Sequence, residues 1–62
     1  MSDEQAFLAL MERFGIQPQY DPNYPHHWSL DAKEGGVEGY PGFACGFKFD
    51  ESGKFVSVGV WE

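Results

Sequence analysis

FACGFKFDESGKFVSVGVW, from Phe43 to Trp61, decides the fold. Both halves alternate apolar residues with small or polar ones, the period of a half-buried strand. Between them, Asp50, Glu51, Ser52, Gly53 and Lys54 make a three-residue hairpin loop with Gly53 at its left-handed position. If Asp50 faces Lys54, then Phe49 faces Phe55, Phe47 faces Ser57, Cys45 faces Gly59 and Phe43 faces Trp61. All eight fall on one face, which makes that face the core side. The opposite face then carries Val56, Val58 and Val60 across from Lys48, Gly46 and Ala44.

Toward the N-terminus the alternation continues. Trp28, Leu30 and Ala32 point one way and His27, Ser29 and Asp31 the other, a strand over 27–32. Lys33 to Gly36 is its turn. The next strand is expected over 37–49, with Ala32 facing Val37, Leu30 facing Gly39 and Trp28 facing Pro41. Pro41 and Gly42 require a bend in it, since proline gives no ladder N–H and glycine marks irregularity. The last strand is 55–61. Residues 16–26 are expected to be a loop, because Pro18, Pro22 and Pro25 exclude helix and central strand.

The helix is marked at both ends. Ser2 can cap it, Gln5 completes a capping box, and Asp3 and Glu4 suit the positive end of the helix dipole. Phe7, Leu10, Met11 and Phe14 form one apolar stripe, widened by Leu8. Gly15 supplies the left-handed stop, Ile16 follows it, and Pro18 prevents continuation. The spacing predicts a helix over 3–14. The expected architecture is a single small α+β domain, residues 1–62. Its N-terminal helix packs on one face of a three-stranded antiparallel β-meander, in the order α-β-β-β.

Composition bounds the function. A chain of 62 residues is one domain with a small core. Aromatic residues at 18% supply bulk that no internal disulfide can replace, since Cys45 is the single cysteine. The net charge of −6, ten acids against four bases, excludes binding to nucleic-acid phosphates or to an anionic membrane. It permits a basic partner, and it also serves plain solubility. Without an export signal or an apolar run of membrane length, the expected location is the cytoplasm.

No residue pattern demands chemistry. His26 and His27 are adjacent on a strand and point apart, so they share no metal ion easily. Cys45 sits mid-strand on the aromatic face of an acidic chain, the setting of an inert core thiol rather than a nucleophile. Asp50, Glu51 and Ser52 belong to a hairpin turn, not to a calcium loop. Glu34 and Glu38 are not placed in a cleft, and Gly35, Gly36, Gly39 and Gly42 precede no phosphate-binding helix. No cofactor, metal or catalytic residue is expected.

The valine face is more telling. One helix covers one face of a sheet, so Val56, Val58 and Val60 are left as an apolar second face beside an uncharged edge strand, the mark of an interface. Against this, the 16–26 loop could fold over that face with Tyr20 and Tyr24 as a lid. The acids Asp31, Glu34 and Glu38 gather at the first sheet turn, where they would meet a basic or nucleic-acid-binding protein.

The stretches GVEGYPGF (Gly36–Phe43) and FKFDESGKFVSVGVWE (Phe47–Glu62) resemble the C-terminal part of short uncharacterised proteins encoded in bacteriophage genomes. The resemblance covers less than half of the chain and carries no catalytic residue with it. It implies a bacterial host cell and a class rich in small inhibitors of host defence or nucleic-acid enzymes, some of which imitate DNA's charge. The acids here are more scattered than such mimicry uses. The expected function is therefore a non-enzymatic protein-binding module, a phage-encoded inhibitor or modulator of a host protein. The alternatives are an assembly subunit acting as a homodimer or larger oligomer, and an enzyme or ligand-binding domain.

Overall fold

The computed structural model describes all 62 residues. Helix α1 runs Asp3–Phe14 and is followed by strands β1 (Gln19–Tyr20), β2 (His27–Asp31), β3 (Ala44–Phe49) and β4 (Phe55–Trp61). The strands form one antiparallel sheet in the order β1-β2-β3-β4, with the helix across one face. The α+β class and the meander are as expected, but the sheet has four strands rather than three.

The helix has its expected limits because local chemistry sets both ends. The Ser2 hydroxyl accepts from Gln5 N–H at 3.1 Å, and Gln5 Oε1 accepts from Ser2 N–H at 2.9 Å. These bonds satisfy donors that a helix start leaves free. At the other end Gly15 takes φ 74°, and Ile16 N–H donates to Met11 O. Tertiary contacts then fix the N-terminus on the β3–β4 turn. Glu4 N–H donates to Gly53 O, and Asp3 Oδ2 accepts from Phe55 N–H at 2.7 Å. Gly53 serves twice there, since its φ is 83° and a Cβ would lie 2.7 Å from Ser2.

The extra strand lies inside the segment expected to be loop. Gln19 pairs with Ser29 and Tyr20 with Trp28. Pro18 and Pro22 bracket these two residues instead of interrupting them, so an edge pairing of minimal length survives.

The long strand expected over 37–49 is cut to Ala44–Phe49, and the strand expected over 27–32 ends at Asp31. Residues 32–43 form a looped connection. Lys33 N–H donates to Val37 O, Val37 N–H to Glu34 O and Phe43 N–H to Tyr40 O. Lys33, Gly36 and Gly42 all have left-handed φ values, which no regular strand accommodates. The expected pairings of Leu30 with Gly39 and Trp28 with Pro41 are therefore replaced. Leu30 faces Cys45, Trp28 faces Phe47 and Asp31 faces Ala44.

The hairpin turn itself is as expected: Asp50 N–H donates to Lys54 O at 2.9 Å, and Gly53 carries the left-handed turn. The Asp50 carboxylate accepts from the Ser52 hydroxyl and from Ser52 and Lys54 N–H. The Ser52 bond first, then that from Lys54, holds the Asp50 carboxyl below its ordinary 3.8.

Beyond the turn the register changes. Phe49 faces Phe55, but Lys48 faces Ser57, so Val56 has no opposite number and forms a β-bulge. Every later residue of β4 is thereby turned over. Phe47 faces Val58, Cys45 faces Val60, and Ala44 faces Trp61. The Phe7 ring lies 4.6 Å from Phe47 and 5.5 Å from Phe49, which identifies the helix side of the sheet. Val58 and Val60 are thus on the helix side and Trp61 on the other, the reverse of the expectation. The exchange has a packing reason: Trp61 lies flat across Gly46, where any Cβ would collide with its ring.

The core is small. Met11 and Phe49 are its buried large side chains, with Phe7, Leu8, Trp28, Leu30 and Phe47 half-buried around them. No helix is long and apolar enough to cross a membrane.

Candidate interaction surfaces

Three rows of residues build the face of the sheet away from the helix. They are His27-Lys48-Ser57, Ser29-Gly46-Gly59 and Asp31-Ala44-Trp61. This face was expected to be flat and apolar. It is polar at both ends, its middle glycine Gly46 is covered by the Trp61 ring, and Tyr24 rims it. On one side Tyr24 stacks on His27, with ring centroids 5.4 Å apart and planes at 17°. On the other stands the Trp61 indole. Between them opens a cleft of about 630 Å³, whose lining includes Tyr24, His27, Ser29, Gly46, Lys48 and Trp61. That volume lies within the ordinary range of ligand sites.

The Tyr24 wall is held from the helix side. Asp21 caps its own turn by accepting from Asn23 N–H at 2.9 Å. Asp21 N–H donates to His27 O, and His27 N–H to Tyr24 O. His26, at φ 64°, donates its N–H to Tyr20 Oη. Its ring Nδ1 meets Glu4 Oε1 at 2.9 Å, and Trp28 Nε1–H donates to Glu4 Oε2 at 2.7 Å. Burial would raise the Glu4 pKa, but the Trp28 and His26 hydrogen bonds and the His26 charge outweigh it and hold the carboxyl below its ordinary 4.5. One helix carboxylate therefore anchors the loop that shapes the cleft. Tyr20 and Tyr24 do not form a lid: Tyr20 packs edge-on against Trp28 at 4.8 Å, and Tyr24 stands as a rim.

The second surface is the half of the helix side nearest β4. Asp3, Phe7, Leu10 and Phe14 share one stripe of α1, whose head reaches Phe55 N–H through Asp3 and whose Phe7 packs on Phe47 and Phe49 of β3. Leu10 is 46% exposed, Phe14 60%, Val58 49% and Val60 71%. Val56, Val58 and Val60 are all exposed, but Val58 and Val60 lie on the helix side of the sheet, while Val56 is the exposed bulge residue.

The acidic residues are exposed as well. Asp31 ends β2 in the row that contains Trp61, and its carbonyl accepts from Glu34 N–H. Glu38 borders a smaller hollow of about 260 Å³ with Tyr40, Phe43, Cys45 and Val60. Cys45 is half-buried rather than fully enclosed. It pairs with Leu30, on the sheet face opposite His27, while the His26 ring is engaged by Glu4.

The sequence reading missed Tyr24, His27, Lys48 and Trp61 as a site. His27 and Lys48 were on the right face, but the unbulged register had put Trp61 on the other. No protein-family model, curated protein or solved structure matches the chain.

Proposed function

We propose that the domain is a non-enzymatic protein-binding module that takes an extended segment of a partner protein in the Tyr24–Trp61 cleft. The observation that carries this is the pair of aromatic rings in one cleft, Tyr24 stacked on His27 and Trp61 seated over Gly46. Facing rings grip an apolar ring or proline side chain with little ordering cost, the mode by which aromatic grooves take extended peptides. The cleft is also polar along its length, with Lys48 in one end row and Asp31 in the other. A segment with a basic residue on the Asp31 side of its ring fits that polarity, and the exposed Glu34 nearby extends the acidic end. This agrees with the basic partner that the net charge permits. The setting of a phage-encoded modulator of a host protein, acting in the bacterial cytoplasm, rests on the resemblance of the C-terminal stretch.

Selection from a displayed random peptide library, followed by an NMR titration of the winning peptide, tests the reading. The selected peptides should share a ring or proline residue next to a base. They should shift the Trp61 indole resonance and the Ser29 and Gly46 amides. Trp61→Ala and Tyr24→Ala should abolish binding with the fold intact, and raising salt should weaken it. Binding that survives both substitutions, or shifts confined to other surfaces, would overturn the proposal.

A further inference from the structure

We infer that β4 is a self-association edge, along which a second copy of this chain adds its own β4 in antiparallel register about Val58. The argument begins with the backbone. Phe49 N–H donates to His26 O, and Ala32 N–H donates to Phe43 O. Ladder groups alternate along a strand, so the odd residues of β3 turn to β2, while Ala44, Gly46 and Lys48 turn to β4. Their partners Trp61, Gly59 and Ser57 are thereby used. Val58 and Val60, between them, aim their N–H and C=O groups at the open edge. A two-fold axis at Val58 lets the two Val58 residues exchange both hydrogen bonds, which is the symmetric centre an isologous dimer needs.

Charge selects the same arrangement. The strand from Phe55 to Trp61 carries no charge of its own, and the Asp3 carboxylate takes up only its first N–H, that of Phe55, so the open stretch begins after Phe55. Lys54 precedes it and Glu62 follows it. An antiparallel pair brings Lys54 of each copy to the end where Glu62 of the other stands, whereas a parallel pair would set like against like.

The apolar side chains of this strand are open to a partner: Val58 is 49% exposed and Val60 71%. Pairing at β4 brings the exposed Val58 and Val60 of the two copies side by side across the axis.

Sedimentation equilibrium on the purified chain tests this inference, and its failure is distinguishable from that of the cleft reading because Val58, Lys54 and Glu62 do not line the cleft. The wild type should sediment at twice 7.0 kDa. Val58→Pro should be a monomer with unchanged helix content, since the lost N–H points to solvent in a single copy. Lys54→Glu and Glu62→Lys should each weaken the dimer about tenfold, and the double exchange should restore it. The Glu62→Lys variant separates local pairing from overall charge: it lowers net repulsion, so a charge-only account has it tighten the dimer. Tightening by Glu62→Lys, a dimer indifferent to Val58→Pro, or a wild type that stays monomeric at millimolar concentration would each overturn the inference.

Discussion

The two edges of the sheet are finished differently. At β1 the edge is two residues long, lies between Pro18 and Pro22, and is pinned through Tyr20, Trp28 and His26 to Glu4. At β4 the strand is seven residues long and uncharged, only its first N–H is taken up, by Asp3, and it is flanked by half-exposed apolar side chains. Short, proline-bounded edges resist addition of another strand and long neutral ones invite it. The same contrast runs through the packing. The helix buries Met11, while Leu10 and Phe14 stay exposed. The core is thin, closed at the β1 edge and open at β4.

Substitutions on the two sides should therefore act differently. The largest effect is expected at Phe49, which is 5% exposed under the Phe7 ring. Phe49→Ala should cost about 3–5 kcal/mol, close to the whole stability of so small a domain. Thermal denaturation should show the variant largely unfolded.

Glu4→Gln comes next and tests the closed edge. It weakens the charged acceptor for Trp28 and His26, and the loss should be about 1–3 kcal/mol at neutral pH. The Glu4 carboxyl has its folded pKa below the ordinary 4.5. Its stabilising share is present above that value and disappears as pH falls through the folded pKa. The urea midpoints of wild type and variant should converge below pH 4.5, and a gap that stayed constant with pH would assign the loss to shape rather than charge.

Gly46→Ala probes the seat of the Trp61 ring. The new methyl group occupies space now filled by the Trp61 ring. Since that ring is half-exposed, it should swing out at a cost of about 1 kcal/mol, and Trp61 fluorescence should shift to the red while the helix persists. The smallest effect on folding is expected at Val60, where Val60→Ala should change monomer stability by less than about 0.5 kcal/mol yet measurably weaken the dimer.

What could be read in the sequence divides along the same line. Helix α1 was legible to the residue because Ser2, Gln5 and Gly15 act within their own turns. The 50–54 turn was legible for the same reason. The β1 edge was hidden by its prolines, which mark loop and strand boundary alike. The stretch from Val37 to Phe43 imitated a strand because Val37, Gly39 and Pro41 keep period two, although Gly36 and Gly42 adopt φ values that end any strand. The bulge at Val56 had no local signal, because FVSVGVW alternates without interruption. It is imposed from a distance, by Asp3 capturing Phe55 N–H and by Trp61 finding Gly46. That single extra residue moved Val58, Val60 and Trp61 across the sheet, and with them both candidate surfaces.

The open edge at β4 is tested most directly by amide hydrogen exchange, followed by NMR at several protein concentrations. Ser57 and Gly59 bond to β3 and should be protected at every concentration. Val58 and Val60 should exchange quickly when dilute and become protected in step with dimer formation. Val58 and Val60 amides that exchange quickly at all concentrations, while Ser57 and Gly59 stay protected, would contradict the account.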